Sequence, residues 1–263
     1  MDLGLSDKTA IVTGGGSNIG RGISLALAEE GANVVIAEID EAQGEKVASQ
    51  IIAKGGSAVV MKTDVTDARA VADLVKKSTD KFGKIDILVN NVGWTRRRLF
   101  VEKPVEEWEK EIRLNYWSLL TCTRAIVDHM IERKYGKIIN IASDAGRVGG
   151  PKATIYSGCK GAVIAFSKAL ALELAQFGIN VNAVSPATVL PENLAEDVGQ
   201  HSMFTSAQEF LTPERQAKVI QLYPLGRLGK PQDIANVVLF LASDRSSFIT
   251  GETISVSGGT VTV

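Results

Sequence analysis

The sequence has little cysteine and little histidine, with two of each in 263 residues. Cys122 and Cys159 are too few for a disulfide framework, and Cys159 is typical of a small residue in a helix or core. His129 and His201 have no Cys or carboxylate at metal-ligand spacing, so we expect no metal site. A G-x-S-x-G elbow is also missing, which argues against a Ser-His-Asp hydrolase.

Net charge and long apolar runs are lacking as well. The formal charge is −1 and the pI about 6.2, so no overall field attracts nucleic acid or a membrane surface. The first residues carry Asp2 and Asp7 where a signal peptide needs positive charge, and we expect no membrane span. We therefore expect a cytoplasmic protein with neither nucleic acid nor membrane as a partner.

What is present is a regular alternation of short apolar segments and amphipathic ones. Hydrophobic residues make up 45%, with 25 Gly and 7 Pro, as in an α/β protein with many turns. The pattern predicts strands at 8–13, 33–36, 58–61, 85–89, 137–142, 179–185 and 253–256, and helices at 19–30, 41–54, 68–82, 105–133, 153–177 and 231–242. This order favours one domain over residues 1–263, a Rossmann-like, doubly wound parallel sheet of about seven strands with helices on both faces.

One segment interrupts this alternation, at about residues 188–222, where polarity is mixed and Pro191 and Pro213 occur. A connection of this length inside a compact domain is usually functional. We expect a mobile helical flap over the site.

A glycine-rich turn follows the first strand and precedes the first helix, in the order Thr13-Gly-Gly-Gly-Ser-Asn-Ile-Gly20. Such a turn brings backbone and a helix N-terminus close to a pyrophosphate. An acidic residue, Glu38, ends the second strand, where a carboxylate accepts from ribose hydroxyls and repels a 2′-phosphate. Residues 33–45 contain no Arg or Lys, which favours NAD over NADP. Asp40 competes for this role, and Glu38 is equally compatible with a solvated charge at a strand end.

Two more strand ends carry polar residues at the edge where parallel sheets bind ligands. Asp64-Val65 follows the third strand and can place a carboxylate near adenine, although a lone Asp is more often a turn residue. Asn91, Val92 and Gly93 follow the fourth strand.

The segment 143–160 carries the candidate chemistry. Tyr156 and Lys160 are four residues apart in a predicted helix, so they share a face. A nearby cation favours the phenolate and lowers the tyrosine pKa, which suits proton transfer to or from an alcohol oxygen. Ser143 follows a strand and can meet the same oxygen. A Tyr–Lys pair at this spacing is also ordinary helix support, and only the rest of the chain favours chemistry.

With these motifs placed, the sequence resembles the short-chain dehydrogenase/reductase family along its whole length. The resemblance is carried by T-G-x-x-x-x-x-G at residues 13–20, N-N-x-G at 90–93, Asn115, Ser143, Y-x-x-x-K at 156–160, P-L-G-R-L-G-K-P at 224–231 and the ending from Thr250.

The resemblance implies a catalytic tetrad and a cofactor site. Tyr156 would be the general acid/base, Ser143 would polarise the substrate oxygen, Lys160 would lower the tyrosine pKa and hold the nicotinamide ribose, and Asn115 would anchor a water. The implied cofactor contacts are Gly14, Gly16, Ser17, Asn18, Ile19, Gly20, Glu38, Asp64, Val65, Asn91, Val92, Gly93, Tyr156, Lys160, Pro186, Ala187 and Val189. A homotetramer is also implied, with the helices at 105–133 and 153–177 as its contacts.

Three positions depart from the family pattern. Asn18 stands where a glycine is usual, and Asn tolerates left-handed backbone better than most residues. Ala187 stands where Pro-Gly is usual, at the start of the predicted flap. Ser257 stands where Asp is common.

The substrate signals are weaker. The candidate residues are Trp94, Arg96, Arg97, Arg98, Asp144, Val148 and Gly150. The three arginines suit a phosphate or carboxylate, and they are equally compatible with a solvated loop. The segment 142–149 with Trp94 is similar to cyclic hydroxyacyl-CoA dehydrogenases, whose substrates carry phosphates.

We therefore predict an NAD-dependent enzyme that interconverts a small-molecule secondary alcohol and its ketone, with a CoA thioester as one substrate class. Plain cyclic alcohols, sugars and steroids stay open. A non-catalytic dinucleotide-binding regulator is the alternative of another class, and the four filled tetrad positions argue against it.

Overall fold

A single parallel sheet of seven strands forms the centre of the molecule. The structure, a computed structural model, describes residues 2–203 and 212–263. The strands are β1 (Thr9–Thr13), β2 (Asn33–Glu38), β3 (Ser57–Lys62), β4 (Ile87–Asn90), β5 (Gly136–Ile141), β6 (Ile179–Pro186) and β7 (Thr253–Val256). They lie in the order β3-β2-β1-β4-β5-β6-β7. The strand order reverses between β1 and β4, and this is where ligands bind in such sheets. The predicted fold class is confirmed.

Helices cover both faces of the sheet. They are α1 (Asn18–Glu29), α2 (Glu41–Ala53), α3 (Ala68–Phe82), α4 (Val105–Ile112), α5 (Ser118–Arg133), α6 (Ala145–Val148), α7 (Thr154–Leu174), α8 (Leu194–Asp197), α9 (Pro213–Ile220) and α10 (Pro231–Ala242). α1, α2 and α10 pack on one face, and α3, α5 and α7 on the other.

Alternate residues of each strand enter opposite cores, which explains the continuous apolar runs. In β2, Val34 and Ile36 join the core under α1 and α10, while Val35 and Ala37 join the other. A strand covered on both faces has no polar side.

The segment predicted as one helix at 105–133 is two helices joined by a π-helical turn, Arg113–Trp117, which contains Asn115. π-helical turns of this kind occur often at functional sites.

The predicted flap contains α8 and α9, and its residues 204–211 lie outside the described part of the chain.

One helix bears on the expectation of no membrane span. The helix Thr154–Phe177 is long and apolar enough, by length and composition, to cross a membrane. In the fold it packs on the sheet through Val163, Ala171 and Leu174, and it buries the charged Lys160. These contacts are those of a helix flanking the core of an α/β domain.

Candidate active site

The glycine turn after β1 is shaped for close approach of a ligand to backbone. Gly14 has a φ of +61°, and a Cβ on Gly20 would overlap the carbonyl oxygen of Gly14. α1 begins directly after this turn, and its first turn carries no acidic side chain. Backbone N–H groups and the positive end of the helix dipole therefore face the same place, an arrangement that suits a pyrophosphate.

The turn after β4 is fastened to the glycine turn by side chains. Thr13 Oγ1 accepts hydrogen bonds from the backbone N–H groups of Asn91 (2.9 Å) and Val92 (3.3 Å). Asn91 Nδ2 donates to the carbonyl oxygens of Thr13 (3.0 Å) and Gly14 (3.2 Å). The two strand ends at the switch point therefore form one rigid unit.

Glu38 lies at the end of β2 and is 7% exposed. Its Oε2 accepts from the N–H of Gly16 at 3.1 Å, and its Oε1 accepts from the N–H groups of Ile39 (2.9 Å) and Asp40 (3.3 Å). Burial raises the pKa of Glu38 above its ordinary value, against the effect of these hydrogen bonds. A carboxylate offers about four acceptor positions, so one position remains for a ribose hydroxyl.

The competing carboxylates have other partners. Asp40 caps the N-terminus of α2 through the N–H of Gln43 (3.3 Å) and accepts from the N–H of Gln200 (3.1 Å). The exposed Asp64 accepts from the N–H and the hydroxyl of Thr66, and Val65 is buried in the core. Asp64 thus forms a side-chain turn, the alternative raised from the sequence.

The first part of the flap is fastened to the glycine turn. Asn18, with a φ of +43°, donates from Nδ2 to the carbonyl oxygen of Val189 (3.4 Å). Ser17 Oγ accepts from the N–H of Gly199 (2.8 Å), and Arg21 pairs with Asp197 (3.2 Å). Ile19 lies in the first turn of α1 beside Asn18. The left-handed position expected at Asn18 is present, and its amide links the cofactor side to the flap.

The start of the flap is anchored on β7 and on the loop before α10. Pro186 ends β6 and pairs with Val256, and the N–H of Ala187 donates to the carbonyl oxygen of Val256 at 3.3 Å. Val189 is buried and bridges to Gly229. These residues lie at the carboxyl end of the sheet, where the nicotinamide contacts are expected.

The residues that fit a nicotinamide dinucleotide are the glycine turn, the α1 N-terminus and Glu38. Within the described residues, the buried Asn18 Oδ1 has no hydrogen-bond partner, so it can accept from a ligand at this turn. Backbone N–H groups, a positive helix end and a ribose-facing carboxylate match the parts of that cofactor.

The four tetrad residues come together at the carboxyl ends of β4 and β5. Lys160, 2% exposed, donates from Nζ to the carbonyl oxygen of Ile141 at 2.8 Å and lies 5.7 Å from the centre of the Tyr156 ring. Ser143 and Tyr156 share a hydrogen bond. A Cβ on Gly93 would lie 3.0 Å from Asn115 Oδ1 and 3.2 Å from Lys160 Nζ, so Gly93 separates these two side chains.

The pKa values differ from the sequence expectation in direction. Burial raises the pKa of Tyr156, and the bond to Ser143 and the charge of Arg97 only partly offset this. Burial also lowers the pKa of Lys160 to about 8. Burial of the phenol therefore outweighs the lowering of the pKa of Tyr156 predicted from the spacing, and the cation whose charge acts on the phenol is Arg97.

The substrate candidates lie in different surroundings. Trp94 exchanges hydrogen bonds with Asn115, and Lys110 Nζ lies 4.2 Å from its ring. Asp144 is buried, and both of its carboxylate oxygens accept from the hydroxyl of Ser255 (3.1 and 3.2 Å), which ties the segment after β5 to β7. Val148 is 56% exposed. The N–H of Gly150 donates to Ser157 Oγ at 3.1 Å, before the turn of α7 that carries Lys160.

The three arginines separate into two groups. Arg96 and Arg98 each lie 3.5 Å from the same oxygen of Glu107, on α4. Arg97 lies between them and is close enough to Tyr156 for its charge to act on the phenol. The N–H of Arg98 donates to the carbonyl oxygen of Lys152 at 2.9 Å, which fixes this segment beside the start of α7.

Sequence reasoning missed one buried ion pair, Lys103–Glu111, whose side chains are 2% and 0% exposed. Residues 102–113 are rich in charge, and this composition does not single out Lys103 or Glu111. The only sequence signal is spacing, since Glu111 precedes Asn115 by four residues and therefore shares its face. Across residues 2–203 and 212–263, no group of three or more His, Cys, Asp or Glu is arranged to hold a metal.

Comparison with known proteins agrees with this arrangement. A family model described as enoyl-(acyl carrier protein) reductase matches residues 14–261. A 3-oxoacyl-[acyl-carrier-protein] reductase of Synechocystis sp. is 38% identical, with 98% of each chain covered. The (2S)-[(R)-hydroxy(phenyl)methyl]succinyl-CoA dehydrogenase subunit BbsD of Thauera aromatica is 37% identical, again with 98% of each chain covered. A similar reductase, FabG of Chlamydia pneumoniae, is 38% identical over 98% of this chain and 99% of its own.

The matches extend over the glycine turn, the tetrad and the strand ends together, so they cover the whole site described above. The chain belongs to the short-chain dehydrogenase/reductase family and is an oxidoreductase acting on CH–OH and keto groups.

Proposed function

We propose that the protein is an NAD-dependent dehydrogenase or ketoreductase acting on a secondary alcohol and its ketone, with an acyl thioester of CoA as substrate class. The observation that carries the reaction is the convergence of Ser143, Tyr156, Lys160 and Asn115 at one sheet edge, beside a turn that fits a dinucleotide.

Each side chain then has a chemical role. Tyr156 takes the proton of the substrate hydroxyl during oxidation and returns it during reduction. Ser143, already bonded to the phenol, donates to the substrate oxygen and orients it. Lys160 holds a ribose hydroxyl and supplies positive charge near Tyr156. The nicotinamide would supply the hydride acceptor or donor when bound.

The choice of NAD rests on Glu38. Its buried carboxylate lies beside Gly16 at the place where an adenosine ribose binds in this fold. A 2′-phosphate there would meet a negative charge, and residues 33–45 provide no cation to receive it.

The choice of an acyl thioester rests on Arg97 and on the relatives. A guanidinium near Tyr156 suits an anionic group on the acyl part of the substrate. The Thauera relative is named for a succinyl-CoA substrate, which supports CoA; the Synechocystis and Chlamydia relatives are named for acyl-carrier-protein substrates, which makes a 3-oxoacyl carrier thioester the second candidate.

We also propose a homotetramer. The surface of this chain leaves large apolar side chains exposed on the helices at 105–133 and 154–174, among them Trp117 (54%) and Leu172 (82%). Burial of such side chains between copies is favourable. Sedimentation equilibrium would then give four times the chain mass of 28.0 kDa, and a monomeric mass would contradict the proposal.

The test is a panel of nicotinamide absorbance assays with NAD and NADP. It pairs cyclic 2- and 3-hydroxy acids with their CoA thioesters and adds 3-oxoacyl carrier thioesters, plain cyclic alcohols, sugars and steroids. We expect the strongest turnover with NAD and one CoA thioester. Equal activity on a free acid and its thioester would overturn the CoA assignment while keeping the reaction.

Two variants make the panel specific. Tyr156→Phe should reduce kcat by about 10²–10⁴-fold while NADH still binds, because only the proton-transferring group is lost. Arg97→Gln should raise KM for anionic acyl substrates more than for neutral ones. Arg96→Gln, which removes a partner of Glu107, should change the KM values of anionic and neutral substrates more equally. If no substrate of the panel is turned over while NADH binds tightly, the result would support a non-catalytic dinucleotide-binding regulator instead.

A further inference from the structure

A buried ion pair lies directly behind the candidate substrate segment. Lys103 Nζ contacts Glu111 Oε1, and the two side chains are 2% and 0% exposed. Taking both charges out of water costs more than their attraction usually returns. The pair therefore has to be explained by something other than stability.

Glu111 holds the segment that follows Gly93. Its Oε1 accepts from the hydroxyl of Thr95 at 2.9 Å and from the backbone N–H of Arg96 at 3.1 Å. Its backbone carbonyl accepts from Asn115 Nδ2 at 2.8 Å, one helical turn later. A single residue thus contacts both the segment and a tetrad side chain.

Asn115 continues the same set of contacts. Its Oδ1 accepts from the N–H of Trp94 at 3.0 Å, and its Nδ2 donates to the carbonyl oxygen of Trp94 at 2.6 Å. Gly93, the preceding residue, fits between Asn115 and Lys160. Residues 93–96 therefore run from the tetrad lysine to Glu111, with a hydrogen bond at each of residues 94, 95 and 96.

Charge explains why the acceptor needs Lys103. A carboxylate accepts stronger hydrogen bonds than a neutral oxygen, and it can serve several donors at once. An isolated charge in the interior is costly, and Lys103 gives this carboxylate a direct partner of opposite charge.

We propose that Glu111, neutralised by Lys103, is a positioning residue that sets the place of residues 94–96 and thereby of Asn115 and of the side chains facing the substrate. This inference rests on the proposed function, since it assigns these residues to that site. The proposal predicts that the accepting oxygen at residue 111 affects kcat and KM even in variants that no longer bury a charge there.

Two double variants separate positioning from stability. Lys103→Met/Glu111→Leu replaces the pair with apolar side chains of similar volume, a change that is often neutral for stability. Lys103→Met/Glu111→Gln also removes both charges but keeps an acceptor oxygen at residue 111. Both should fold, with thermal midpoints close to that of the parent.

The first readout is kinetic, with the best substrate of the panel. The Leu variant should lose about 10- to 100-fold in kcat/KM, through both kcat and KM, because misplacement by about 1 Å costs this much. The Gln variant should recover most of this loss. NADH affinity should stay the same in both. Parental kcat and KM in a folded Leu variant would overturn the proposal.

The second readout needs no substrate and so separates this inference from the proposed function. Hydrogen exchange at the amides of Trp94 and Arg96 should be faster in the Leu variant and close to parental in the Gln variant, with the glycine turn unaffected. Equal protection in all three proteins would overturn the proposal even if the panel had found no substrate.

If the Leu variant does not fold, Thr95→Val provides the test. It removes one donor to Glu111 without touching the ion pair. Faster exchange at Arg96 and a raised KM are expected, and unchanged values of both would overturn the proposal.

Discussion

Two buried glutamates, Glu38 and Glu111, hold the two sides of the candidate site in different ways. Both accept from backbone N–H groups of a loop: Glu38 from Gly16 on the cofactor side, Glu111 from Arg96 on the substrate side. Among residues 2–203 and 212–263, the hydrogen-bond partners of Glu38 are all backbone N–H groups, and burial raises its pKa. Glu111 is paired with a buried lysine.

The difference concerns what each carboxylate leaves available. Glu38 lies at the carboxyl edge of the sheet and uses three acceptor positions, so under the proposed function the fourth would accept from the cofactor. Glu111 is completely buried, so its work is done inside the protein, and its charge needs a permanent counter-charge. Under the two proposals made above, Glu38 would contact the cofactor itself, while Glu111 would act on the substrate only through residues 94–96.

The same substitution at both positions should give the largest contrast. Glu111→Gln leaves Lys103 as an uncompensated buried charge and should lower the free energy of unfolding by about 3–5 kcal/mol. Glu38→Gln leaves no cation behind and should change it by about 1 kcal/mol or less. Urea unfolding of both variants measures this, and equal losses would remove the distinction between the two glutamates.

Two of the buried lysines, Lys103 and Lys160, extend the comparison to pH. Lys103 has a carboxylate partner, whereas burial lowers the pKa of Lys160 to about 8. Between that pH and about 10.4, the unfolded chain binds a proton at residue 160 that the folded protein has released. The free energy of unfolding should therefore rise with pH in this range, relative to Lys160→Met, by at most about 1.4 kcal/mol per pH unit. A flat difference between the two proteins would mean that Lys160 keeps its ordinary pKa.

A smaller effect is expected for cofactor choice. Glu38→Ser removes the negative charge near the ribose and should shift the ratio of NADPH to NADH dissociation constants toward NADPH by about tenfold, since one charge–charge contact is lost. Fluorescence titration of each cofactor gives the ratio. The same shift caused by Asp40→Ser would instead assign the ribose to Asp40.

The sequence predicted the sheet well because its signals are local. The glycine turn, the strand-end Glu38 and the strand alternation each depend on a few adjacent residues, and the sheet and its strand ends are where the pattern predicts them. The role of Asp64 was harder to predict, because a lone Asp after a strand is compatible with both a ligand contact and the turn that it forms with Thr66.

The substrate side was less predictable because its partners are distant in sequence or hidden by composition. Three consecutive arginines look equivalent in the chain, but the fold turns Arg96 and Arg98 toward Glu107 and brings Arg97 near Tyr156. Glu111 lies among charged neighbours that are exposed, and no pattern marks it as buried.

The sequence by itself determined the parallel sheet, its switch point and which residue types meet there, because strand and helix periodicity and turn chemistry are properties of short segments. Only the tertiary structure decided which charges are buried and with what partners. Burial is set by packing between segments far apart in the chain, and it is burial that raises the pKa of Tyr156, lowers that of Lys160 and leaves Glu111 dependent on Lys103.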